Sequence, residues 1–261
     1  MLLMFPAIWS ILIVSKEEID IYLILLFIYG SFIMRSAGCI INDIIDKNFD
    51  KRVKRTKFRP LASENLDISD AIILFIVFLS IGLSILLSLN STCILLGFIA
   101  FPLIMLYPLM KRFTYFPQLF LAIVFNFSVL ISWTAATGRF DNQSLLLYLA
   151  CIFWTLGYDT IYAHQDREDD ALIGVKSSAL FLGDKTKLFL VAFYCTTLSG
   201  LLAIGLLNNF GVFFFSLIVI SGIQLVWQIL TLDINSPINC LKKFKSNRLF
   251  GLIVTVAIYS G

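Results

Sequence analysis

The chain has 261 residues, 59% of them hydrophobic and 14% charged, with a formal net charge of +3. Soluble domains have close to half apolar residues and about a quarter charged ones, so this composition excludes an ordinary water-solvated globule and makes lipid the solvent for most of the chain. It also gives no basis for a nucleic-acid partner, which calls for a strongly basic surface.

The first apolar run, 1–14, has no basic residue ahead of it and no small-residue cleavage site. A membrane helix is therefore expected there rather than a removable signal peptide. Further apolar runs follow at 20–42, 70–89, 92–108, 117–137, 144–163, 187–207, 209–232 and 249–261. Lengths of roughly 17 to 25 residues span a bilayer. The runs are continuously apolar rather than alternating, and only helices and closed barrels satisfy their backbone in lipid, so nine helices are predicted. The expected fold class is all-α, polytopic and membrane-embedded, with 1–261 forming one transmembrane domain. The two terminal runs are only about 20 Å long at 1.5 Å per residue, against a hydrocarbon core of about 30 Å. Either neighbours shelter them or part of each end is missing. The five cysteines, Cys39, Cys93, Cys151, Cys195 and Cys240, show no zinc or redox spacing and read as packing residues.

Charge placement gives an independent reading of topology, because basic residues in short loops mark the cytoplasmic side. Seventeen of the 20 Lys and Arg residues fall after even-numbered spans: Lys47 to Arg59, Lys111 and Arg112, Arg167 to Lys187, and Lys242 to Arg248. The other side has Lys16 and Arg139, while Arg35 lies inside the second span. The two long polar segments, 43–69 and 164–186, share the basic side, which is where chemistry is expected.

The end of the second span reads Arg35-Ser-Ala-Gly-Cys-Ile-Ile-Asn42-Asp43-Ile-Ile-Asp46-Lys-Asn-Phe-Asp50. At about 100° per residue, Arg35, Asn42, Asp46 and Asp50 form one stripe within roughly 80°, provided the helix continues to Asp50. The end of the sixth span repeats the idea in Asp159-Thr-Ile-Tyr162-Ala-His164-Gln-Asp166-Arg167-Glu168-Asp169-Asp170. Asp159, Asp166 and Asp170 fall within about 40° on a continuous helix. The shared Asp-x-x-x-Asp after spans two and six hints at a four-helix repeat. Carboxylates gathered at one mouth repel unless neutralised, and oxygen ligands left partly open suit Mg2+ that also binds a substrate phosphate. The plainer reading of a single such motif is solvated surface; two equivalent copies at a membrane edge favour the metal.

Basic residues supply the complement: Lys54, Arg55 and Arg59 after the first cluster, Lys111 and Arg112 after Tyr107, and Lys176 after the second. Carboxylates, a divalent cation and basic side chains together clamp a phosphoryl group. Membrane topology and attraction to anionic lipid account for many of the basic residues as well. Arg59, Lys111 and Arg35 are the individual candidates, Arg35 being either a cavity-lining cation or a structural partner of Asp46 or a backbone carbonyl. The lone His164 receives no role. A divalent-cation transporter is the competing class, but it needs ionisable residues near the midplane, whereas these carboxylates gather at one end.

At these residues the chain resembles the UbiA superfamily of intramembrane prenyltransferases, and within it the group acting on 4-hydroxybenzoate in ubiquinone biosynthesis. The resemblance rests on Met34-Arg35 through Asn42-Asp43-x-x-Asp46-x-x-x-Asp50, on Lys54-Arg55-Thr56-x-x-Arg59-Pro60-Leu61, on Tyr107-Pro108-Leu-Met-Lys111-Arg112, and on Tyr158-Asp159 through Asp166-Arg-Glu-Asp-Asp170 with Ile173-Gly174-Val-Lys176-Ser177. It implies nine helices around a central cavity in a bacterial or mitochondrial inner membrane. It also implies Mg2+ bridging a polyprenyl diphosphate, with the aspartate loops facing cytoplasm or matrix. The implied reaction is prenyl transfer to the 4-hydroxybenzoate carbon ortho to the hydroxyl; another aromatic or haem acceptor is the alternative within the superfamily. By the same resemblance Asn42, Asp46 and Asp50 serve one metal and Asp166 and Asp170 the other. Arg59, Tyr107 and Lys111 meet the diphosphate or the reacting centre, and Arg35 faces the acceptor carboxylate; among the basic residues read above Lys176 is a further substrate-binding candidate, and Asp159 and Asp46 are the two carboxylates available as the base that removes the ring proton. The family's Arg-x-Asp-(Lys/Arg)-Pro segment before the first helix has no match here, since Met1 already lies in the apolar run.

Overall fold

The structure is a computed structural model that describes residues 2–15, 18–53 and 55–261. Lys16 and Lys54, used above in the charge count and the basic motif, lie outside the described residues, as does Met1. Among the described residues all regular structure is helical. The helices are α1 (Met4–Val14), α2 (Ile21–Asp50), α3 (Ile68–Leu87), α4 (Ser91–Leu106), α5 (Met110–Phe113), α6 (Pro117–Phe125) and α7 (Phe127–Thr137). They continue as α8 (Asn142–Ala163), α9 (Arg167–Ile173), α10 (Ser178–Leu182), α11 (Thr186–Leu207), α12 (Val212–Leu230) and α13 (Pro237–Tyr259). Seven helical stretches among these residues are long and apolar enough to cross a membrane. With α1 and α13 the described helices group into nine passes in the expected order, an integral membrane architecture.

Short polar residues start the helices where water is available. Asp20 accepts from the Leu23 N–H, Asn90 from that of Cys93, and Asp141 and Ser144 form a reciprocal capping box at α8. The fifth pass is broken in its middle at Asn126, whose buried amide donates to the Ala122 carbonyl and to Thr155 Oγ1 of α8 at 2.7 and 2.9 Å. A side chain satisfied in this way compensates the interrupted helix inside an apolar layer.

Sequence and structure differ most at the chain's two ends. The first helix is 11 residues long, about 16 Å, and Phe5 through Ile13 are all buried, so it is sheltered by neighbours. Its Trp9 ring lies 5.1 Å from Trp154 of α8, which lies 5.2 Å from Phe250 of α13. The indole N–H groups are satisfied by Thr255 Oγ1 and Asn247 Oδ1 at 2.9 and 3.0 Å. The last helix begins at Pro237, not near 249, so Lys242, Lys243, Lys245 and Arg248 are helical rather than in a loop. Ser236 caps it and Pro237 occupies its first turn, while the four basic residues depress the local hydropathy that marks a span.

Helix α8 packs most extensively against α11, and small residues permit the approach. A Cβ built on Gly200 would stand 2.7 Å from the Ala150 Cβ, which no rotamer change relieves. Gly200→Ala is therefore expected to destabilise the protein by about 1–3 kcal/mol, read as a lower unfolding temperature in detergent with the helical circular-dichroism spectrum retained below it.

Candidate active site

The 30-residue α2 does continue to Asp50, so the polar stripe proposed for it is one helical face. Arg35, Asn42, Asp46 and Asp50 all line a single cavity of about 850 Å³. Asp46 and Asp50 are only 1% and 7% exposed. The second cluster is built differently from the expectation. Helix α8 ends at Ala163, a 3₁₀ turn covers His164–Asp166, and α9 carries Arg167–Ile173. Local polar contacts compete with the α-helical ladder there: Gln165 Nε2 donates back to the Tyr162 carbonyl at 3.1 Å, and the His164 ring bonds Thr186 Oγ1 at 2.9 Å. A 3₁₀ turn winds tighter than an α-helix, so the single stripe of Asp159, Asp166 and Asp170 is not formed. All three nevertheless line the same cavity.

The segment between α2 and α3 brings cations to the carboxylates. It is pinned by buried Val53, Leu61 and Ala62 and by buried Thr56, whose hydroxyl donates to the Asp50 carbonyl at 3.1 Å. Arg59 then reaches back, one nitrogen donating to Asp43 at 2.7 Å and to Asp50 at 3.0 Å. Arg55 grips Asp166 in a two-pronged bond of 2.8 and 2.5 Å and donates to the Tyr162 hydroxyl at 3.1 Å. Its hydrogen bonds to Asp166 raise the Arg55 guanidinium further above its ordinary value, and Tyr162 and Asp50 add to the effect.

The corner after α4 supplies the rest. Tyr107 opens a 3₁₀ turn, Lys111 lies on α5, and both line the cavity, as does Lys176. Lys111 bonds Asp46 directly. Gly174 closes α9 at φ +75, a left-handed value that glycine adopts freely, and the chain that follows lets the Lys176 N–H donate to the Lys111 carbonyl at 2.9 Å. Arg35 lies 5.5 Å from the Phe125 ring centre and lines the same cavity as Tyr107, Tyr158 and Asp159. Asp46 belongs to Lys111, so Arg35 is a cavity-lining cation and not the Asp46 partner. Sequence reasoning passed over four contributors to this cavity: Asp43, Tyr162, and the α13 pair Lys245 and Arg248. It named Arg55 without singling it out. Only the motif spacing around Asp43 and Arg55 gave any signal.

One oxygen of Asp46 is buried without a hydrogen-bond partner, in a cavity otherwise supplied with hard carboxylate and amide oxygens. Among the described residues no three His, Cys, Asp or Glu side chains already converge on one point. Mg2+ does not require that, since it commonly takes one or two carboxylates and fills its shell with water and phosphate oxygens. The donor set fits the ion.

A helical membrane bundle around an acidic, cation-bridged cavity is the architecture of a membrane prenyltransferase, and the UbiA prenyltransferase family model matches residues 3–253. The chain belongs to the UbiA prenyltransferase family. It is 44% identical over its whole length to the mitochondrial 4-hydroxybenzoate polyprenyltransferase of Drosophila melanogaster, covering 67% of that protein. Among solved structures it resembles a UbiA homolog from Aeropyrum pernix K1, with a TM-score of 0.80, 22% identity and coverage of 98% and 94% of the two chains. It also resembles a UbiA homolog from Archaeoglobus fulgidus bound to GPP and Mg2+, with a TM-score of 0.65 and 15% identity, covering 100% and 96%.

Proposed function

We propose that this membrane prenyltransferase moves a polyprenyl group from its diphosphate to 4-hydroxybenzoate, at the carbon ortho to the hydroxyl, with Mg2+ as cofactor and in the service of ubiquinone biosynthesis. The observation that carries the reading is the meeting of two acidic clusters, from α2 and from the α8–α9 corner, with Arg55, Arg59 and Lys111 in one cavity whose other walls are largely apolar. The names of relatives such as the Drosophila melanogaster enzyme support the acceptor. Membership of a transferase family sets the carrier reading aside.

Asn42, Asp46 and Asp50 would hold one Mg2+ and Asp166 and Asp170 a second. When bound, the metal supplies Lewis-acid stabilisation of the departing diphosphate. Arg59, Lys111 and Lys176 share the negative charge that builds on the diphosphate as the allylic carbon–oxygen bond breaks. Tyr107 stands beside the reacting centre. Apolar residues such as Met34, Leu86 and Phe101, which line the cavity, surround the prenyl tail and keep water from the allylic cation. The phenol ring attacks that cation, forming the carbon–carbon bond, and a base then takes the ring proton. Asp159 suits this role better than Asp46, because Asp46 is already bonded to the Lys111 ammonium. The acidic end faces the cytoplasm or the mitochondrial matrix, in keeping with the concentration of basic residues there.

The test is to incubate membranes containing the protein with Mg2+, ring-labelled 4-hydroxybenzoate and prenyl diphosphates of increasing length. A lipid-extractable labelled product is expected, lost on chelation with EDTA and restored by Mg2+. Absence of labelled product at every donor length defeats the acceptor assignment; a product that survives chelation defeats the metal.

A further inference from the structure

The histidine beyond the α8 end takes no part in the chemistry above and does not line the cavity, yet His164 is only 3% exposed. Its Nε2 lies 2.9 Å from the hydroxyl of Thr186, the first residue of α11, and that hydroxyl lies 2.7 Å from the Gly183 carbonyl. A hydroxyl has one proton to give. The Gly183 carbonyl can only accept, so it takes the Thr186 proton, and the His164 Nε2–H donates to the hydroxyl oxygen. The other ring nitrogen, Nδ1, is buried without a partner among the described residues. A proton there would be a buried donor with no acceptor, so the ring is neutral and carries its proton on Nε2.

This bond lies on the outer side of a corner whose inner side is the acidic cavity. Asp159, Tyr162, Ala163 and Asp166 line the cavity. Thr160, four positions before His164, instead accepts from the Ser178 hydroxyl at 3.0 Å, and the Ser178 N–H donates to the Gln118 side chain at 3.0 Å. Thr160, Ser178 and Thr186 are all completely buried, so the segment from 178 to 186 is latched twice behind the corner. The bond to Thr186 matters through the turn that it holds. Over three residues a 3₁₀ turn advances about 360° and about 6 Å, against about 300° and about 4.5 Å for an α-helix. If His164–Asp166 relaxed to α-helical winding, Asp166 would rotate by about 60° and shift by about 1.5 Å along the axis. Metal–ligand distances are kept to within about 0.2 Å, so that movement takes the carboxylate out of a coordination shell.

We propose that His164 is a positioning residue for the second metal site, its Nε2–H bond to Thr186 holding the 3₁₀ turn that sets Asp166 at the cavity wall. This rests on the reading of Asp166 and Asp170 as Mg2+ ligands, and deepens it by giving the pair a support behind the wall. Such a support fixes ligand geometry without touching either substrate, so its loss loosens the metal and leaves acceptor binding alone.

The experiment uses the full chain in phosphatidylcholine nanodiscs. Binding of Mn2+ in the presence of inorganic pyrophosphate is read by electron paramagnetic resonance, without turnover, alongside Mg2+-dependent prenyl transfer. His164→Leu is expected to weaken Mn2+ binding about tenfold, the effect of losing a bond that orients a metal ligand. The Mg2+ concentration for half-maximal transfer should rise by the same factor, while kcat at saturating Mg2+ and KM for 4-hydroxybenzoate stay within about twofold. Thr186→Val should behave alike, and the double variant should be no worse than either single one, because the same bond is lost in each. His164→Gln, which keeps an N–H donor, and Thr186→Ser, which keeps the hydroxyl, should restore Mn2+ binding. Unchanged Mn2+ affinity in His164→Leu and Thr186→Val overturns the proposal, even where the unfolding temperature drops, because the histidine is then a packing residue only. Equal losses in His164→Gln and His164→Leu also overturn it. Should His164→Leu fail to fold, Thr186→Val against Thr186→Ser decides by the same comparison. Wild-type protein that binds no Mn2+ and keeps its activity under chelation brings down the metal reading together with this one; a metal-binding wild type with indifferent variants brings down this one alone.

Discussion

Asp46→Asn is expected to lower prenyl transfer about a thousandfold in isolated membranes, the size of effect that follows when about 4 kcal/mol of electrostatic stabilisation is lost from the transition state. Asp46 is 1% exposed, with one oxygen engaged by Lys111 and the other without a partner. The amide keeps the volume and loses the charge, so the Lys111 ammonium faces a neutral neighbour and the free oxygen no longer draws a divalent cation. Apparent affinity for Mg2+ should fall along with turnover, which separates a metal-ligand role from simple loss of fold. Amount and unfolding temperature of the detergent-extracted protein serve as the control. Near wild-type turnover in this variant would remove the paired-metal assignment.

A second large loss, about a hundredfold or more, is expected for Asp166→Asn, because the carboxylate is both a proposed metal ligand and the target of the Arg55 fork. Arg55 bears on both acidic clusters, bonding Asp166 and interacting with Asp50. A double-mutant cycle with Arg55→Gln distinguishes the two roles. If Asp166 acts only by holding Arg55, the double variant is no worse than Arg55→Gln alone. If Asp166 serves the metal, Asp166→Asn remains the dominant defect, and raised Mg2+ partly recovers it.

Much of this arrangement is written in the primary structure where physical constraint is strongest. Long apolar runs have one low-energy backbone in lipid, so the passes from α2 to α12 appear as expected apart from their ends. The stripe from Arg35 to Asp50 is legible for the same reason, since a helix fixes the angle between residues four apart. Where polar side chains offer the backbone other partners, that logic weakens. Gln165 and His164 turn the α8 end into a 3₁₀ turn and break the predicted alignment of Asp159 with Asp166. Asn126 similarly splits a run whose hydropathy is uninterrupted. The pairing of Arg55 with Asp166, 111 positions away in sequence, is a tertiary fact with no local signature. Lys245 and Arg248 line the cavity without a sequence signal, because basic residues near a predicted span read first as topology.

The division of α13 into a basic first half and an apolar second half also bears on how the protein is made. Within the 23-residue helix the four charges at Lys242, Lys243, Lys245 and Arg248 raise the cost of placing its first half against hydrocarbon. An apolar neighbour that is already inserted offsets part of that cost during biogenesis. Helix α12 is apolar throughout, ends at Leu230, and is joined to α13 by a turn in which Asn239 and Cys240 side chains reach back to the Thr231 and Asp233 carbonyls. The two helices are thus suited to insert as a hairpin, with α12 carrying its less hydrophobic companion into the bilayer.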